Sequence, residues 1–156
     1  EGAVYLIDEK IFSRRDVWHS EDDSLKVIGL AEFMDGLLDK SKPGTMIADL
    51  KVPSEHIKGG KSKEGRYRLR KLHGDRNIII FFAEGCHICE AEKTAARELA
   101  ASDRKVRVLL VNVDSIVASD PSLADKLFNA FDLSTLPFII ETDRKGNILH
   151  RYVTLQ

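Results

Sequence analysis

The sequence predicts an α/β domain, a central mixed β-sheet flanked by helices, with a helical extension at its N-terminus. Three observations carry this. Ile78-Ile79-Ile80-Phe81-Phe82 is continuously apolar and rich in β-branched and aromatic side chains, the composition of a strand buried on both faces. Helix-like and strand-like segments alternate after it. The chain then ends on two strand-like runs around the turn composition Asp143-Arg144-Lys145-Gly146-Asn147, which predicts an antiparallel hairpin.

Taken in order, Val4 to Phe12 carries Val4, Ile7 and Ile11 at helical spacing, with Leu6 beside them. Ser24 to Leu38 repeats the pattern with Leu25, Ile28, Phe33, Leu37 and Leu38, so two short helices are expected. Ser41-Lys42-Pro43-Gly44 marks a break. Residues 1–42 therefore read as an N-terminal extension or linker and 43–156 as the main domain. The chain begins at Glu1 rather than methionine, which fits a removed leader or a piece of a longer protein.

Met46, Ala48, Leu50 and Val52 alternate, predicting a strand over Thr45 to Val52. Ile57 to Gly65 reads as a cationic loop with three glycines, and Tyr67 to Leu72 as the returning strand of a hairpin. Lys58-Gly59-Gly60-Lys61-Ser62 superficially has the look of a phosphate loop. It lacks the first glycine at the right distance and precedes no helix, so it reads as surface.

After the strand at Ile78, Glu84 and Gly85 interrupt, and His87 to Ala101 is dominated by strong helix formers. Val106 to Val113 is a second buried strand, ended by Asp114. Ser119-Asp120-Pro121 is a helix start, with Asp120 placed to cap and proline at the first helical position. That helix runs to about Phe131 with Leu123, Leu127 and Phe131 facing a core. Phe138 to Glu141 is a third strand and Ile148 to Val153 its antiparallel return. The three strands from Ile78, Val106 and Phe138 are expected to pair in parallel through right-handed crossovers.

Composition limits the function classes. Of the 156 residues, 43% are hydrophobic, enough for a core without disulfide staples. Charged residues make up 31% yet nearly cancel to −1, which argues against a nucleic-acid binder needing a basic surplus. No apolar run approaches the ~20 residues of a membrane span.

The two cysteines, Cys86 and Cys89, are the only ones, and they sit where a buried strand hands over to a helix. Free N–H groups and the positive end of the helix dipole would stabilise a thiolate at Cys86, lowering its pKa below the usual value of about 8.5. Cys89, one turn on, is close enough to attack a mixed disulfide made by Cys86. A zinc site would need four ligands, and no second cysteine pair accompanies His73 and His87. His87 is either an exposed helix-start side chain or a local cation favouring the thiolate. Glu84 is the nearest acid and the candidate for proton transfer, with a solvated carboxylate as its plainer reading. Pro137 directly precedes a strand, which is an awkward place for proline.

Cys-x-x-Cys at a strand-to-helix junction, a proline about fifty residues later and a closing hairpin together resemble the thioredoxin-like superfamily. The resemblance spans roughly Pro43 to Val153. Ile80-Phe81-Phe82-Ala83, Val111-Asn112-Val113-Asp114, Leu136-Pro137 and Asp143-Arg144-Lys145-Gly146 look closer to its TlpA/ResA-type branch, as does the entry segment Pro43 to Leu50. What the resemblance implies is a thiol–disulfide oxidoreductase with Cys86 as nucleophile and Cys89 as resolving thiol. It needs no cofactor beyond the redox-active Cys86–Cys89 disulfide. Pro137 would be the cis-proline and Leu136 the residue whose backbone pairs with substrate, with Thr135, Gly85 and His87 around them. The branch further implies protein thiols or disulfides as partners together with a recycling redox partner. It implies a bacterial extracytoplasmic setting, periplasmic or membrane-anchored, with any lipid anchor outside this chain.

Three departures stand out. Gly85 stands where members usually have tryptophan, Ile80 where thioredoxin itself has a buried aspartate, and the family's usual final helix has no counterpart after the last strand. The last suggests that the N-terminal helices, or another segment, cover that sheet face. The rival reading is a non-catalytic interaction module of a larger exported lipoprotein.

Overall fold

The computed structural model describes residues 4–7, 10–13 and 41–152. Contacts divide the chain into two units, Glu1–Asp39 and Lys40–Gln156. In the first, β1 (Val4–Ile7) and β2 (Lys10–Ser13) form an antiparallel pair with Tyr5 opposite Phe12 and Leu6 opposite Ile11. The helix expected over Val4 to Phe12 is therefore corrected to a hairpin. Val-Tyr-Leu-Ile and Lys-Ile-Phe-Ser are rich in β-branched and aromatic residues, and that preference outweighs a spacing that a short segment shares with a helix. The second expected helix, Ser24 to Leu38, lies outside the described residues.

The second unit holds a six-stranded mixed sheet in the order β4-β3-β6-β5-β7-β8. Its elements are β3 (Lys51–Lys58), β4 (Lys61–Arg68), β5 (Arg76–Phe82), α1 (His87–Ser102) and β6 (Val106–Asn112), followed by α2 (Val113–Ser119), α3 (Pro121–Ala130), β7 (Phe138–Thr142) and β8 (Ile148–Tyr152). β5 lies at its centre, and its alternation divides the core. Ile79 and Phe81 face one apolar layer with Leu127 and Phe131 of the α3 region; Ile78 and Ile80 face another with Ala96 and Ala100 of α1. All five of its residues from Asn77 to Phe81 are buried, as a strand covered on both faces requires.

The entry hairpin lies further along the chain than its alternation suggests. Ile47 is buried, but residues 44–47 bond to the turn before β8, with Gly44 N–H donating to Ile148 O at 2.8 Å and Ile47 N–H to Gly146 O at 2.8 Å. The strand begins at Lys51 and passes through Pro53, because β6 pairs with β3 only from Glu55 onward. The proline's missing N–H therefore costs no ladder bond on that side. The expected cationic loop is itself the turn of this hairpin. Lys58 opposes Lys61, and Gly59 takes φ +62° at the first central position, as a type II′ turn requires.

β5 and β6 are parallel, as expected, but β7 runs antiparallel to β5, with Phe138 opposite Phe81 and Thr142 near Asn77. The expected third parallel strand is thus corrected. A single crossover helix would have returned the chain to the start of β5. Here two short helices, α2 and α3, meet at Asp120, and the chain re-enters the sheet at the end of β5 instead. The second helix is marked as read: Asp120 caps it, accepting from Leu123 N–H at 3.1 Å, and Pro121 opens it.

The far end of the sheet is tied together by polar side chains. Asn77 is buried, and its amide donates to Gly74 O at 3.1 Å and to Asp143 O at 3.1 Å while Oδ1 accepts from Gly74 N–H at 2.9 Å. A Cβ at Gly74 would lie 2.4 Å from Arg107 Cγ and 2.6 Å from Asn77 Oδ1, so only glycine fits there. Arg76 and Tyr152 both donate to buried Glu141, at 2.5 Å each. Arg144 also pairs with Asp75 at this end.

Candidate functional site

The opposite end of the sheet carries the cysteines. Cys86 and Cys89 form a disulfide with their Cα atoms 5.2 Å apart. Cys86 is the N-cap of α1, in extended conformation, and its Sγ accepts from Cys89 N–H at 3.1 Å. Sulfur here does what a capping oxygen does elsewhere, satisfying a helix-start donor. Cys86 is half-buried and Cys89 fully buried. Cys89 is thus sealed by its surroundings, whereas Cys86 is open to solvent in part.

The loop that delivers Cys86 is held from the end of β6 and the first turn of α2. Glu84 N–H donates to Asp114 Oδ2 at 3.0 Å, and Asn112 Nδ2 donates to Glu84 Oε2 at 3.0 Å. Glu84 is exposed, and its carboxylate is engaged in this strut rather than aimed at a sulfur. Gly85 follows at φ +75° with open space where a Cβ would point, so the backbone itself favours glycine at this position. A tryptophan there would need a different loop. His87 and Ile88 are exposed, Ile88 by 64%.

The second half of the site comes from the segment before β7. The Leu136–Pro137 peptide bond is cis. Leu136 and Pro137 are half-buried, and Thr135 is exposed. Because Phe138 is opposite Phe81, this segment stands at the same sheet end as the loop after Phe82 that carries Cys86. Three rings anchor it: Phe131 packs on Phe81 with centroids 4.9 Å apart, and Phe138 lies 6.1 Å from both. Such tilted packing holds the start of β7 and the end of α3 against β5. Cys86, Cys89, Gly85, His87, Thr135, Leu136 and Pro137 are thus gathered at one end, while His73 lies at the other, beside Gly74.

A residue that sequence reasoning passed over is Glu92. It is 2% exposed, one turn beyond Cys89 on the face of α1 that also carries Ala96 and Ala100. Residues three apart on a helix are neighbours, with Cβ atoms about 5–6 Å apart. The available signal was an acid interrupting an otherwise small and apolar stripe at positions 89, 96 and 100. On the β3 side of the same helix, Lys93 sits 4.0 Å over the Phe82 ring and Arg97 makes a bidentate pair with Glu55 at 2.9 and 3.0 Å. The Arg97 hydrogen bond holds the Glu55 carboxyl below its usual range, against the opposing effect of burial. Among the described residues, no group of three or more His, Cys, Asp or Glu side chains converges as a metal site.

No family model and no curated protein sequence matches this chain. Solved structures do. The C-terminal domain of an uncharacterized Bacteroides fragilis protein matches at TM-score 0.53 and 20% identity, over 75% of this chain and 94% of that one. A conserved Bacteroides fragilis protein of unknown function matches at 0.52 and 14%, over 74% and 94%. The thioredoxin domain of a thiol–disulfide oxidoreductase from Bacteroides vulgatus matches at 0.50 and 14%, over 72% and 89%.

Proposed function

From a thioredoxin-like fold with a Cys-x-x-Cys disulfide at the end of its central strand, we propose that this protein is a thiol–disulfide oxidoreductase acting on protein dithiols and disulfides. The observation that carries the proposal is the inequality of the two sulfurs. Cys86 is reachable and caps a helix; Cys89 is sealed behind it.

In the reducing direction, a Cys86 thiolate held by helix-start N–H groups attacks one sulfur of a substrate disulfide. The substrate S–S bond breaks, a bond from Cys86 to that sulfur forms, and the other substrate sulfur leaves and takes a proton. Leu136 and Pro137 offer backbone and ring surface for the substrate chain beside the reacting sulfurs. Cys89 then loses its proton and attacks Cys86 Sγ, closing the Cys86–Cys89 disulfide and releasing the second substrate thiol. Two electrons and two protons pass to the substrate, and a protein dithiol must return them. The oxidising direction runs the same steps in reverse. Among the acids around the pair, Glu92 is buried on the helical face of Cys89 whereas Glu84 and Glu90 are exposed, which favours Glu92 for exchanging the Cys89 proton. An extracytoplasmic bacterial setting, with any lipid anchor beyond this chain, rests on the sequence resemblance.

The test is the trapping variant Cys89→Ser. It should accumulate mixed disulfides with protein substrates through Cys86, visible as reductant-sensitive adducts on non-reducing gels, and Cys86→Ser should accumulate none. Wild-type exchange without any trapping by Cys89→Ser overturns the division of roles. A non-catalytic interaction module is the second reading, favoured by exposed Gly85 where the family places an aromatic. Insulin reduction separates the two, since a module would show a reversible disulfide and no turnover.

A further inference from the structure

We propose that β4 is a docking edge for an extended acidic segment of a partner protein, which adds to the sheet as a further strand. Among the described residues no strand pairs with the outer side of β4, which ends the sheet. The strand is eight residues long, and all but Tyr67 are exposed. From Lys51 to Lys71 the chain carries eight lysines and arginines against two acids, Glu55 and Glu64, in a protein whose net charge is −1. Glu55 is occupied by Arg97 and Ser62. Lys58, Lys61, Lys63, Arg66 and Lys71 have no ion-pair partner among the described residues.

Register makes the edge specific. In a two-residue hairpin the pair flanking the turn, Lys58 and Lys61, exchanges hydrogen bonds, and the pattern then alternates. The N–H and C=O groups of Lys61, Lys63 and Gly65 therefore point inward to β3. Those of Ser62, Glu64 and Arg66 point outward, and none of these has a hydrogen-bond partner among the described residues. Side chains alternate as well. Lys61 and Lys63 project from one face of the sheet, Arg66 and Arg68 from the other. A strand added here would meet Lys61 and Lys63 on one face, while on the other Arg66 lies beside Glu64 and Arg68 is already paired with Asp49. Acids at alternate positions of such a strand would lie opposite the lysine pair. Lysines on an edge also guard against self-association. They would repel the same edge of a second copy, which leaves an acidic strand as the complementary occupant. A nucleic acid would use the charge but not the outward N–H row, and the remainder of the chain carries a negative balance.

The probe is a fluorophore-labelled peptide of about eight residues alternating glutamate with valine and threonine, followed by anisotropy on the full chain. Wild type should bind it, more weakly as salt rises. The triple variant Lys61→Glu, Lys63→Glu, Arg66→Glu should lose at least about tenfold in affinity. Glu64→Pro is the deciding variant: it removes an acid and an outward N–H while sparing the bonds to β3. Strand addition requires that it bind more weakly than wild type; equal or tighter binding shows simple charge attraction and overturns the proposal. No binding to wild type overturns it, and so does binding of a single-stranded oligonucleotide in preference to the peptide. Unchanged far-ultraviolet dichroism and unchanged exchange with a small disulfide show that each variant is folded.

Discussion

At the scale of single residues, chemistry here turns on which groups are sealed and which are reachable. Cys86 faces solvent in part and Cys89 does not. The same contrast separates the acids. Glu84 is exposed and engaged by Asn112, whereas Glu92 is buried one turn from Cys89. Glu92→Gln should therefore slow release of the mixed disulfide by about 10²-fold, while Glu84→Gln leaves the rate unchanged. Stopped-flow release of a fluorescent thiol from the Cys86 adduct measures both; slowing only in Glu84→Gln would reverse the assignment. Cys86, Cys89 and Pro137 were legible because each is chemically or conformationally unusual for its place in the chain. Glu92 was legible only as the acid interrupting the stripe of Cys89, Ala96 and Ala100, a weak signal in an Ala-, Glu- and Lys-rich helix.

Among elements, local signals were read best where they are self-contained. Asp120-Pro121 announces α3, and the structure shows the cap bond to Leu123 N–H. Asp120 also ends α2, its own N–H donating to Ile116 O at 2.8 Å. Asp120→Ala should cost about 1 kcal/mol, read as a lower urea midpoint with an unchanged slope. No loss would mean that packing alone holds the junction. Alternation from Met46 to Val52 puts the entry hairpin too early, and tolerance of Pro53 within the actual strand depends on how far β6 extends alongside β3. The hairpin β1–β2 escapes sequence reading for a different reason: four-residue strands are too short for period 2 to be told from period 3.6.

For the whole molecule, the undetermined quantity was direction. Composition predicts that β7 joins the sheet; only the path through α2 and α3 makes it antiparallel to β5. Long-range polar ties were equally hidden. Arg76 on β5, Glu141 on β7 and Tyr152 on β8 meet although they are separated by up to 76 positions in the chain. Burial alone would raise the Glu141 carboxyl, but hydrogen bonds from Arg76 and Tyr152 hold it below its usual range. A depressed folded-state pKa means that this stabilisation is complete above the ordinary carboxylate value of about 4.3 and is lost as pH falls through the lower folded value. Arg76→Ala should cost about 1–3 kcal/mol at pH 7 by leaving a buried carboxylate short of a donor. The deficit should shrink in urea titrations below pH 4, and a deficit independent of pH would sink this account.

The sheet thus has two ends with separate duties. Gly74, Asn77, Asp143 and the Arg76–Glu141–Tyr152 cluster fasten one end, away from Cys86 and Cys89. The other presents Gly85, His87, Ile88 and Thr135, all exposed. Gly85 is tied to glycine by its φ of +75°, whereas His87, Ile88 and Thr135 can be altered without touching the fastening, so the surface around the cysteines is open to redesign on its own.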